Sequence, residues 1–93
     1  MNLEKILTEK IENNLSPDFF KIVNFSDKHK NHYLESNNDT SHIKLIIVSK
    51  SFDSLSKINR ERLVHKLISE EITNHIHSLR LKLYTLEEYQ LIK

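Results

Sequence analysis

The chain has 93 residues and a formal charge of +1, from 14 basic against 13 acidic side chains. That length holds one domain with a modest core, and the balanced charge excludes a general attraction to phosphate backbones, so nucleic-acid binding would need a local patch. With 38% hydrophobic and 29% charged residues, no cysteine and no glycine, the composition fits a globular domain and rules out disulfides, a thiol nucleophile, a self-contained cysteine metal site and glycine-built phosphate cradles.

Leu3, Ile6, Leu7, Ile11 and Leu15 recur at helical spacing, with Asn2 as cap and Ser16-Pro17 as stop, which predicts a first amphipathic helix. Phe19 to Ser26 reads as a strand. Asp27 to Ser41 is a polar stretch long enough for a functional loop, and it carries His29 and His32. His42 to Ser49 is the clearest strand, apolar and β-branched enough to be central. A second helix is expected from about Ser56 to Asn74, marked by Ile58, Leu63, Val64, Leu67, Ile68 and Ile72. Leu79, Leu81 and Leu83 then alternate with Arg80, Lys82 and Tyr84 in a last strand, and Thr85 to Glu88 forms a capping box that opens a short terminal helix. With glycine absent, asparagines such as Asn37, Asn38 or Asn74 are expected to take the positive-φ turn positions.

The order is helix, strand, strand, helix, strand, helix. A crossover through a helix makes its flanking strands parallel, while the first two strands pair antiparallel. This predicts an α+β domain spanning 1–93, a three-stranded mixed sheet with its helices packed on one face. No apolar run suggests a signal peptide or membrane span, so a cytoplasmic location with no membrane partner is the expectation.

Two imidazole-bearing segments stand out, His77 at the mouth of the last strand and His29 with His32 in the polar stretch. Without cysteine, any soft-metal site built on them is half a site, completed by another molecule. His42 is read as a cross-sheet hydrogen-bonding residue, His65 as surface, and His75 as pointing away from His77. Lys57, Arg60, Arg62 and Lys66 on the second helix, with Arg80 and Lys82 on the last strand, form the basic cluster that a nucleic-acid reading needs, although Glu61 and Glu70 intervene. Glu87 and Glu88 diverge on a helix and Glu88 has a capping role, so no constellation calls for catalysis and the chain is read as a non-enzyme.

Ser41 to Ser49, Phe52, Arg60 to His65, His77-Ser78-Leu79 and Tyr84 to Glu88 resemble, in order and spacing, the successive motifs of the BolA family. The resemblance implies a class II KH-like fold and a monothiol CGFS-type glutaredoxin as partner. It also implies a [2Fe-2S] cluster bridged between the two proteins, with thiolates from the glutaredoxin and glutathione and histidines from the BolA-like chain, none being held by the chain alone. The C-terminal ligand of the family falls on His77, and its loop ligand falls on His29, with His32 close behind. Arg80, Lys82 and Tyr84 form the expected docking face. The free protein is expected to be a monomer or weak homodimer, acting in iron–sulfur trafficking or iron sensing, and a DNA-binding regulator is the alternative. Three positions depart from the family pattern: Ser54 replaces a glycine, Glu61 a histidine and Leu86 a proline. Imidazole in place of thiolate makes a cluster less negative and raises its reduction potential, and since only neutral imidazole ligates, such a cluster loosens in mild acid.

Overall fold

A computed structural model describes residues 2–25 and 41–93. Helix α1 (Leu3–Leu15) is capped by Asn2, whose side chain accepts from the Lys5 amide at 3.0 Å. Its apolar stripe buries Leu7, Ile11 and Leu15. The helix ends where Ser16 turns left-handed (φ 42°, ψ 60°) and gives its N–H to Glu12 O, with Pro17 barring continuation. Strand β1 (Phe19–Asn24) follows and pairs antiparallel with β2 (Ser41–Val48), which pairs parallel with β3 (Ile76–Tyr84), giving the order β1-β2-β3. Central β2 is near-continuously apolar because it is covered on both sides at its C-terminal half. Ile43, Leu45 and Ile47 are buried in the main core, and Val48 is buried with its side chain on the other face.

A 3-10 turn (Lys50–Phe52) inserts Phe52 into the core, and Ser49 beneath it is fully buried, donating from its hydroxyl to Leu15 O at 2.6 Å. Helix α2 (Lys57–Leu67), capped by Ser56, and helix α3 (Ser69–His75) then return the chain to β3. The expected continuous helix from Ser56 to Asn74 is therefore two helices that meet at Ile68 (φ −117°, ψ 27°). No glycine or proline marks the break; it lies where Ile68 is fully buried and Glu71, one turn on, turns inward to receive Lys10 Nζ at 2.8 and 3.0 Å. Helix α4 (Leu86–Ile92) closes the described chain behind a full capping box between Thr85 and Glu88.

The α+β plan and mixed sheet are as the sequence predicts. Residues of α1, α2 and α3 join the core face of the sheet, formed by Phe20, Ile22 and the odd-numbered leucines of β3. One departure is Tyr89 of α4. Its ring stacks on Phe19 at 5.4 Å and tilts against Tyr84 at 5.9 Å, and both lie at strand positions of the opposite face.

The described residues with positive φ are serines, Ser16 and Ser54 (φ 69°), and Asn74 lies inside α3. Ser54 occupies the position where the related pattern has glycine, so its Cβ bears the left-handed penalty that glycine avoids. Ser54→Gly is expected to stabilise the fold by up to about 1 kcal/mol, the left-handed cost less the entropy of a freer unfolded chain, seen as a raised thermal midpoint. An unchanged or lowered midpoint would show that the Ser54 backbone is not strained.

Candidate functional site

One end of the sheet brings two imidazoles, His42 and His77, together through an irregularity in register. Along β2 and β3 the pairs run Ile43 with Leu79, Leu45 with Leu81 and Ile47 with Leu83, all toward the helices. Strict alternation would carry His77 to that same apolar side. Instead the register shifts between Ser41 and His42, which pair with Ile76 and Ser78, so His77 is the extra residue of a bulge. Bulges re-aim side chains, and here Ile76 enters the core while His77 is exposed. The His77 ring meets that of His42 at a centroid separation of 5.2 Å and an interplanar angle of 61°. His42 is half-buried and belongs to the open face with Lys44 and Ile46.

Two imidazoles on one tetrahedral metal, each nitrogen about 2.0–2.1 Å from the ion, hold their ring centres about 5 Å apart, so the observed separation suits shared ligation. Among the described residues no group of three or more histidines, cysteines or carboxylates could hold a metal. Two imidazoles would supply two of the four donors of a tetrahedral site. His29 and His32 lie outside the described residues. His65 is exposed on α2, and His75 ends α3 one residue before β3. A lone histidine opening a central strand is ordinarily satisfied within the sheet, and spacing along the sequence does not place His42 beside His77. The signal that it adjoins His77 is the paired start of two parallel strands.

Arg80 and Lys82 are exposed on the same open face, with Tyr84 half-buried at its far end. On α2, Lys57, Arg62 and Lys66 are exposed, whereas Arg60 is not available to a ligand. Its side chain is 7% exposed, and its guanidinium donates to Glu88 Oε1 at 2.7 Å, Glu88 Oε2 at 3.0 Å, Leu55 O at 3.0 Å and Leu83 O at 3.3 Å. This removes Arg60 from the nucleic-acid cluster expected on that helix, since four of its five N–H groups are given to acceptors inside the fold. The pair also holds the Glu88 carboxyl down to about 2, first through the guanidinium hydrogen bonds and then through the Thr85 amide, and raises Arg60 above its ordinary range.

At the other end of the sheet a shallow depression of about 700 Å³ is lined by Lys50, Asp53, Thr85 and Glu87 among others. It lies at the opposite end of the sheet from His42 and His77. No helix among the described residues is long and apolar enough to cross a membrane.

Comparison with known proteins agrees with this architecture. The family model described as BolA-like protein matches residues 11–88. A Vibrio cholerae protein named DNA-binding transcriptional regulator BolA is 33% identical over 88 residues, covering 95% of this chain and 79% of its own. The human BolA-like protein 1 is 31% identical over 83 residues, 89% of this chain and 58% of its own. Among solved structures, BolA1 from Arabidopsis thaliana superposes with a TM-score of 0.80 at 30% identity, covering 95% of this chain and 96% of that one. The BolA domain of SufE1 from the same plant gives 0.75 at 30% identity, over 90% and 92%. The matched span runs from within α1 to Glu88, through every strand and the bulged histidine, and the chain belongs to the BolA-like family.

Proposed function

We propose that this protein is an adaptor that docks on a monothiol CGFS-type glutaredoxin and supplies imidazole ligands to a [2Fe-2S] cluster, whose thiolates come from the partner and glutathione. The observation that carries the reading is the His42–His77 pair, 5.2 Å between ring centres at the exposed mouth of two parallel strands. The absence of cysteine makes an external thiolate donor necessary for any such cluster. His77 is the ligand common to every version of the reading. His42, in ring contact with it, is the second donor in this reading, and His29 and His32 are the further donors that the family resemblance offers. Arg80, Lys82 and Tyr84, on the face continuous with His42, supply the docking surface, with cations at its rim and an aromatic anchor. Such a complex would serve iron–sulfur trafficking or iron sensing.

Mixing the protein with a CGFS glutaredoxin, glutathione, iron and sulfide should give a visible circular dichroism spectrum distinct from that of the glutaredoxin alone. His77→Ala should return the mixture to the glutaredoxin-only spectrum. A mixed-complex spectrum that survives this substitution would remove the ligand assignment.

Bacterial relatives named as DNA-binding transcriptional regulators favour a second reading, a KH-like nucleic-acid-binding regulator. On α2 that reading keeps Lys57, Arg62 and Lys66 and loses Arg60.

A further inference from the structure

Register decides which side chains share the sheet face turned away from α1, α2 and α3. Lys21 pairs with Ile46 and Ile46 with Lys82; in the adjacent row Val23 pairs with Lys44 and Lys44 with Arg80. Four cations thus occupy two neighbouring rows. Lys21, Arg80 and Lys82 are exposed and Lys44 is half-buried. None of the four forms an ion pair with another described residue, whose ion pairs are Lys10–Glu71 and Arg60–Glu88. No strand position on this face, among the described residues, holds a carboxylate.

Glu4, Glu9 and Glu12 lie on α1 together with Lys5 and line one depression with Lys21 at the sheet edge, so the part of the face clear of carboxylates is that of Lys44, Arg80 and Lys82. Lys44 stands directly opposite Arg80, and like charges in that relation repel and weaken strand pairing. An anion laid across the rows would relieve that cost. Between the cations lie Val23 and Ile46, half-buried and apolar, and at the end of the face is the ring cluster of Phe19, Tyr84 and Tyr89. A cationic track interleaved with apolar and aromatic surface suits single-stranded nucleic acid, whose phosphates pair with the cations while its unpaired bases pack on the rings. On α2, by contrast, Glu61 and Glu70 flank the remaining cations and Arg60 is engaged within the fold.

We propose that the open face of the sheet, through Lys21, Lys44, Arg80 and Lys82, binds the phosphate backbone of single-stranded nucleic acid, with the Tyr84 end providing a stacking surface. This rests on the second functional reading and moves its site from helix α2 to the sheet. Arg80, Lys82 and Tyr84 also belong to the proposed glutaredoxin docking surface, and His42 lies two residues from Lys44 on the same face. The nucleic acid and the cluster-bearing partner therefore occupy this face one at a time.

The test is fluorescence anisotropy of a labelled oligothymidylate titrated with the full chain at several salt concentrations. Four phosphate contacts at about 0.7 ions each give a log–log salt slope near −3. Lys21→Glu with Lys82→Glu, both at exposed positions, should weaken binding on the order of tenfold or more and reduce the slope to about half. Lys44→Gln with Arg80→Gln should reduce the slope similarly, and Lys57→Glu with Lys66→Glu on α2 should leave affinity and slope unchanged. Far-ultraviolet circular dichroism establishes that each variant is folded. Loss of binding in the α2 variant with retention in the sheet variants would overturn the location and leave the second reading standing. No binding by the unaltered chain at low salt would overturn both. Tighter binding of a duplex of the same length would overturn the single-strand assignment. Sheet variants that bind the oligonucleotide normally but lose the glutaredoxin would give the face to an acidic protein surface instead.

Discussion

Arg60→Met is expected to lower the folding free energy by roughly 2–3 kcal/mol, the cost of leaving buried hydrogen-bond acceptors without donors. The methionine keeps the length of the stem, so the loss is of the guanidinium and not of packing. That group joins three parts of the chain: the Leu55 carbonyl before α2, the Leu83 carbonyl at the end of β3, and the Glu88 carboxylate in α4. The Leu83 bond is buried, and its carbonyl is left without this donor when the arginine goes. Glu88 behaves differently, because its side chain is 43% exposed and water replaces the lost partner. Glu88→Gln should therefore cost less than Arg60→Met, and the two together should cost less than their sum. Urea unfolding of the two single variants and the double variant measures this coupling. If Arg60→Met unfolds at the urea concentration of the unaltered chain, the guanidinium is not the tie between α4 and the sheet. The pair also has a pH signature. Folding lowers the Glu88 carboxyl from 4.5 to about 2, so its contribution is fully present above 4.5 and is lost as pH falls through that window toward 2. Glu88→Gln should remove that part of the acid limb of stability.

Why this tie escapes a reading of the sequence is physical. Arg60 sits among Asn59, Glu61 and Arg62 in a polar run, and its partner lies 28 residues away on another helix. Periodicity reports which side of an element is apolar; it does not report a charged side chain buried by a partner elsewhere. The helix break at Ile68 is hidden for a related reason, since the apolar spacing from Leu63 to Ile72 continues across it and the local chain has neither proline nor glycine. By contrast, β3 was fully legible: Leu79, Leu81 and Leu83 alternate with Arg80, Lys82 and Tyr84, and the observed register puts the two sets on opposite faces. Capping was legible too, because Asn2 and the Thr85–Glu88 box act through neighbours three residues away. Of the proposed site, the sequence reads His77 at the mouth of β3 and Arg80, Lys82 and Tyr84 on one face of it, and the register puts those three on the open face. That His77 meets His42 depends on the bulge at His77, and a one-residue shift in a strand reverses the face of every side chain beyond it.

His42→Phe is expected to abolish the visible spectrum of the mixed glutaredoxin complex with the chain still folded by far-ultraviolet circular dichroism, because phenylalanine keeps an aromatic contact with His77 and lacks the ring nitrogens. This substitution separates two roles that the 5.2 Å contact allows. If His42 is only a packing partner that orients His77, an aromatic replacement should preserve the orientation and hence the cluster. If its nitrogen is a ligand, the cluster goes although the fold stays. His42→Ala alone cannot distinguish them, since it removes ring and nitrogen together. The companion measurements are His29→Ala and His32→Ala. A spectrum kept by His42→Phe and lost by either of these would make the polar segment the second donor, with His42 supporting the ring of His77. A spectrum lost only by His42→Phe and His77→Ala would assign both nitrogens to the paired strand ends, where the bulge has already brought the rings to a separation that one iron could bridge.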